Sequence, residues 1–131
     1  MYYFAYGSNL SRGQVEERLP GIKAAFAATL PNHKIVFVGY SPKWKGAVAS
    51  LRRVQGQRVE GAVYEVGLVQ MNKLDAFEGR FYRRQLVKVV DGKGVFHEVT
   101  AYVQDPLAQE GKPSREYLMV IQEGRRDWGL D

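Results

Sequence analysis

The strongest constraint on the fold is a series of short strand-forming segments separated by turn-forming residues. Segments 82–90 and 95–103 alternate apolar and polar residues and are joined by Asp91-Gly92-Lys93-Gly94, a hairpin signal. Segments 47–54 and 59–66 flank Gln55-Gly56-Gln57, which predicts another hairpin, and segments 24–30 and 35–40 flank Pro31-Asn32. Residues 2–6 form a further apolar, aromatic-rich run suited to a buried strand. Helical patterns are few. Ser11 opens one as N-cap, with Gln14 placed to complete a capping box, and it runs to about Leu19 before Pro20-Gly21. Residues 68–78 form a second, and about 114–123 a third. Runs of strands with a few helices predict an α+β fold with a strongly curved, barrel-like sheet. At 131 residues the chain, 1–131, is expected to be a single domain around one core.

Composition removes several classes of chemistry. With no cysteine there is no disulfide scaffold, cysteine-bound metal or cysteine nucleophile. His33 and His97 lie far apart in hairpin-like surroundings and read as surface residues, so neither a metal site nor a cofactor is expected. No apolar run approaches the roughly 20 residues needed to span a bilayer. The N-terminus lacks the basic start and long apolar stretch of a signal peptide, so a cytoplasmic location is expected. The formal net charge of +5 favours anionic partners. The cations come as dispersed pairs, Lys43/Lys45, Arg52/Arg53, Arg83/Arg84 and Arg125/Arg126, which read as solvated faces and strand edges. Trp44 between two lysines is a lone candidate for stacking on a base, and no recognisable binding motif accompanies it, which argues against a nucleic-acid partner.

Three features carry candidate chemistry. In Tyr6-Gly7-Ser8-Asn9-Leu10, glycine permits close backbone approach to a ligand and two polar residues can orient it. The turn runs into a helix N-terminus, where free N–H groups attract an anion. An ordinary capped strand-to-helix turn would look the same. No phosphate-loop pattern follows it. Glu78 is the second. Leu68, Met71, Leu74 and Glu78 share one face of the 68–78 helix, which sets a carboxylate in line with an apolar stripe at the negative end of the helix dipole. If it faces inward, both features disfavour ionisation and suit it to moving protons both ways; if the stripe ends at Leu74, it faces solvent. The third is the set of eight tyrosines, with Tyr82 soon after Glu78 and Tyr117 on the Ile121 face of the last helix; packing alone would also explain them.

Together these residues resemble the γ-glutamylcyclotransferase-like family, which includes avirulence-induced-gene-like and butirosin-pathway cyclotransferase-like proteins. The resemblance runs in order through Tyr3-Phe4-Ala5-Tyr6-Gly7-Ser8-Asn9-Leu10, Gly61-Ala62-Val63-Tyr64, Leu74-Asp75-Ala76-Phe77-Glu78-Gly79, Tyr82-Arg83-Arg84, Pro113-Ser114-Arg115-Glu116-Tyr117-Leu118 and Glu123-Gly124. It implies a barrel-like sheet with flanking helices and an enzyme that cyclises a γ-glutamyl amide or peptide to 5-oxoproline, releasing an amine or amino acid. It implies Glu78 as general acid/base, Tyr6, Gly7, Ser8, Asn9 and Leu10 as the loop binding the γ-glutamyl group, and Tyr82 and Tyr117 as substrate contacts. The Ser8-Asn9 form is similar to the γ-glutamyl amino acid branch rather than the γ-glutamylamine branch. Arg83 and Arg84 are candidates to hold the substrate carboxylate. The alternative is a non-catalytic module of the same fold that binds a small carboxylate.

Overall fold

The computed structural model describes residues 1–130. The strand-forming segments resolve into five strands, β1 (Tyr2–Ala5), β2 (Lys23–Ser41), β3 (Gly46–Glu65), β4 (Tyr82–Asp91) and β5 (Phe96–Gln104). Three helices interrupt them, α1 (Arg12–Arg18), α2 (Leu68–Glu78) and α3 (Arg115–Asp127), with a 3-10 turn over Ser8–Leu10. The sheet closes into a barrel in the order β1-β3-β2-β4-β5. Closure depends on β1, which pairs antiparallel with residues 62–65 of β3 and parallel to β5 at Tyr3 and Thr100. Joining the ends of the sheet removes most of the exposed strand edge that an open sheet would leave.

Period-two alternation along β1 divides the core. Phe4 and Tyr6 point into the barrel with Leu30, Val59, Val63, Val89 and Val99. Tyr3 and Ala5 point outward into a second cluster with Val15 and Leu19 near α1, Met71 and Leu74 of α2, and Tyr64 and Tyr102. The first strand is therefore buried on both faces, and the chain leaves it directly into the 3-10 turn.

The middle of the sheet differs from expectation. Gln55-Gly56-Gln57 and Pro31-Asn32 do not reverse the chain. They lie opposite each other in one long antiparallel pair, where the register jumps from Pro31↔Arg58 to His33↔Arg53. The extra β3 residues bulge out, and Asn32, at φ 59, accepts the Gly56 N–H on Oδ1 at 3.1 Å. Two turn signals that face each other can be absorbed as a bulge, so four expected strands are two. The reversal lies instead at residues 42–45, where Lys45 adopts φ 57 and donates its N–H to the Ser41 carbonyl at 2.7 Å. The hairpin at residues 91–94 forms as expected, closed by Asp91 N–H to the Val95 carbonyl at 2.9 Å.

The helices begin where the capping residues stand. Ser11 Oγ accepts the Gln14 N–H at 3.2 Å, and Ser114 Oγ accepts that of Tyr117 at 3.2 Å. The Gln14 side chain does not return to Ser11 to complete a box; it donates to Ser8 Oγ and Asn9 Oδ1 at 2.8 and 3.0 Å. Both histidines are partly buried rather than on the surface, because each finds a local acceptor: His97 Nε2 lies 2.8 Å from Asp91 Oδ2, and His33 Nδ1 2.9 Å from the Pro31 carbonyl. Among the described residues no helix is long and apolar enough to cross a membrane.

Candidate active site

In the half of the β2–β3 pair beyond the bulge, residues 46–50 of β3 have no strand paired on the side away from β2 among the described residues, since β1 pairs only with residues 62–65. The edge is satisfied by other means. The Ala49 N–H donates to the Tyr117 hydroxyl at 2.8 Å, and the Ala49 carbonyl accepts from the Tyr82 hydroxyl at 2.6 Å. One residue of β3 thus ties a phenol from α3 to a phenol from β4. Tyr6 completes the wall, donating its hydroxyl to the Tyr102 carbonyl. These groups line a cleft with Tyr3, Phe4, Gly7, Ser8, Asn9 and Glu78.

The floor is the turn after β1. Leu10 and Ser11 donate their N–H groups to the Gly7 and Ser8 carbonyls, each at 3.0 Å, so those two donors are used within the turn. The N–H groups of Gly7, Ser8 and Asn9 stand at its open start. The Asn9 side chain is held on both ends: Nδ2 donates to the Tyr3 hydroxyl at 3.0 Å, while Oδ1 accepts from Gln14 and from Arg18 Nη1 at 3.1 Å. The Tyr64 hydroxyl donates to the Asn9 carbonyl at 3.0 Å. From behind, α3 presses on the turn. The Trp128 indole donates to the Leu10 carbonyl at 3.0 Å, and a side chain at Gly124 would place its first carbon 2.4 Å from Leu10. At Gly7 the first carbon would come within 3.3 Å of the Tyr117 hydroxyl. Glycine at both positions lets α3 and the turn meet.

The expected role of the α1 N-terminus as an anion site does not hold. Asp127 Oδ2 already accepts the Arg12 N–H at 2.9 Å, so the protein's own carboxylate occupies that end of the helix.

Glu78 is the last residue of α2; Gly79, at φ 79, stops the helix behind it. Met71 and Leu74 of the same stripe are fully buried and fix the helix face, while Leu68 at its start is exposed. Glu78 therefore turns inward and lines the cleft. Burial raises its pKa from 4.5 to about 7, and the Arg18 guanidinium works against that rise. Tyr3, Tyr6, Tyr82 and Tyr117 are all held above the usual phenol range, chiefly by burial, with the Glu78 charge adding to each. A carboxyl that titrates near neutrality is thus surrounded by neutral phenols. Tyr3 and Tyr117 each accept one of the hydrogen bonds above, which leaves their own O–H protons available to a ligand.

Seven of the eight site residues expected from the sequence, Tyr6, Gly7, Ser8, Asn9, Glu78, Tyr82 and Tyr117, line this one cleft. Leu10 does not, because its side chain is packed against α3 and both its backbone groups are bonded. Arg83 and Arg84 also lie elsewhere. Arg84 pairs with Asp75 at 2.7 Å, and Arg83 is exposed 4.0 Å from Asp105. The cations at the cleft mouth are instead Arg18 and Lys43, from α1 and the 42–45 turn. Nothing in their local sequence marks them, since only the closed barrel brings those segments beside α2. Trp44, read as a candidate for stacking on a base, packs its ring 5.1 Å from Tyr117.

The chain and its fold have known counterparts. The gamma-glutamyl cyclotransferase, AIG2-like family model matches residues 3–125, and the chain belongs to that family. Human gamma-glutamylcyclotransferase is 30% identical over 135 residues, covering 98% of this chain and 71% of that protein. The mouse gamma-glutamylcyclotransferase is 29% identical over the same shares. A solved structure of a gamma-glutamyl cyclotransferase superposes with a TM-score of 0.95 at 28% identity, covering 99% of this chain and 80% of that one. The chain is an enzyme of the class these relatives represent.

Proposed function

We propose that this enzyme cyclises γ-glutamyl amides or peptides to 5-oxoproline and releases an amine or amino acid, with Glu78 as the general acid/base. The observation that carries the reading is one acid, shifted toward neutrality by burial, in the same cleft as the 3-10 turn. A γ-glutamyl substrate brings an α-ammonium and a γ-amide. Ionised Glu78 takes a proton from the α-ammonium. The freed amine attacks the γ-carbonyl carbon and closes a five-membered ring. Glu78 gives that proton to the departing nitrogen as the amide bond breaks, and the second proton that the ring nitrogen must lose goes to the same amine, which leaves as an ammonium. No water is consumed, and the acid ends as it began.

A carboxyl with a pKa of about 7 suits both transfers. Holding the γ-glutamyl chain folded removes much of the entropic cost of ring closure. The N–H groups of Gly7, Ser8 and Asn9 and the Tyr117 hydroxyl are the donors for the developing oxyanion. The test is incubation with a γ-glutamyl dipeptide. The reading expects 5-oxoproline and free amino acid in equal amounts; hydrolysis to glutamate, or no product, contradicts it.

A further inference from the structure

Taking the cyclotransferase reading as its basis, we infer that the mouth of this site selects leaving groups carrying both a carboxylate and a large apolar or aromatic side chain. Arg18 and Lys43 would hold the carboxylate, and the rings of Trp44, Phe77 and Phe81 the side chain. A second, wider cleft opens outward from the inner one and shares Ser8, Glu78, Tyr82 and Tyr117 with it. Glu78 lines both, so a nitrogen leaving with its proton departs into the outer cleft.

Two features of that cleft suit such a leaving group. The first is its charge. Arg18 and Lys43 both line it, and neither takes part in an ion pair among the described residues. Arg18 is steadied by Asn9 and by the Phe77 ring, 5.3 Å from its guanidinium carbon. The Lys43 ammonium lies 5.2 Å from the Trp44 ring centre. Lost hydration and then the charge of Arg18 lower the Lys43 pKa, while Glu17 raises it. Glu78 is the acid that faces these cations from α2. An added carboxylate relieves the repulsion between the cations, whereas an added ammonium increases it.

The second feature is apolar surface. Phe77 is 50% exposed, Phe81 64% and Tyr40 65%, all on the same cleft, with Trp44 at its base. Rings gathered at the mouth of a site form a surface that a ligand would cover. An amino acid joined to the γ-carboxyl through its α-nitrogen has its carboxylate and side chain on the same carbon. Both can then meet their partners while the nitrogen remains at Glu78.

Four substrates separate the contributions: γ-glutamylphenylalanine; γ-glutamylphenethylamide, which keeps the ring and lacks the carboxylate; γ-glutamylglycine, which keeps the carboxylate and lacks the ring; and ε-(γ-glutamyl)lysine. The first is expected to exceed each of the others in kcat/KM by about tenfold, mainly through KM. K43Q should narrow the phenylalanine-to-phenethylamide ratio several-fold, as should raised salt. Equal kcat/KM for the phenylalanine and phenethylamide substrates overturns the inference and leaves cyclisation standing. Absence of 5-oxoproline from all four overturns the cyclotransferase reading itself.

Discussion

Ala49 gives its N–H to Tyr117 and its carbonyl to Tyr82, so a strand edge with no neighbouring strand becomes the wall of the cleft. Backbone groups that would otherwise need water position two phenols from elements far apart in sequence. Tyr117→Phe removes the acceptor and leaves the Ala49 N–H buried and unpaired. Denaturant unfolding should show a loss of about 1–3 kcal/mol. Removal of an oxyanion donor should also lower kcat by about a hundredfold. A stability loss with kcat intact would leave Tyr117 a packing residue only.

Placing Glu78 in the cleft costs stability. Its folded pKa of about 7 lies above the ordinary 4.5, so the native state keeps a proton that the unfolded chain has released between those pH values. Stability therefore falls as pH rises through that window and levels off above it. Glu78→Gln removes the dependence. The variant should match the parent near pH 4 and exceed it by roughly 3 kcal/mol near pH 8 in chemical denaturation.

Arg18 should shape the pH profile from outside the reaction. Its guanidinium favours the Glu78 carboxylate, so Arg18→Gln lets Glu78 hold its proton to higher pH. The ascending limb of kcat/KM, expected near pH 7 in the parent, should move upward in the variant. A limb that stays in place or moves down would show that another group controls it.

Gly124 is a contact through which α3 supports the 3-10 turn. Gly124→Ala puts a carbon 2.4 Å from Leu10 in a buried interface, and the helix must shift. Thermal or denaturant unfolding should show a loss of about 1–3 kcal/mol. KM should rise as well, because Trp128 and Tyr117 move with the helix.

Local patterns read well from the sequence where local physics decides the outcome. The Leu68–Glu78 helix, the Ser11 cap and the 91–94 hairpin depend on neighbours in sequence. The sequence leaves the orientation of Glu78 open, because the apolar stripe could equally end at Leu74; the burial of Met71 and Leu74 in the fold decides it. The unbroken β2–β3 pair was not legible. Asn32 and Gly56 are both good turn residues, and only their pairing across the sheet turns two apparent reversals into one bulge. Arg83 and Arg84 sit close to Glu78 in sequence but face away on β4, while Arg18 and Lys43 arrive from distant segments. Nearness in sequence located the acid and misled about the cations, because barrel closure decides which charges meet.

The central claim is that Glu78 carries the proton in an intramolecular cyclisation. The direct measurement is the rate of 5-oxoproline release from γ-glutamylphenylalanine at pH 8 by the parent and by Glu78→Gln, with circular dichroism showing both folded. The parent should release 5-oxoproline and phenylalanine one for one, and the variant should be slower by about two to four orders of magnitude. Equal rates in the two folded proteins would contradict the account.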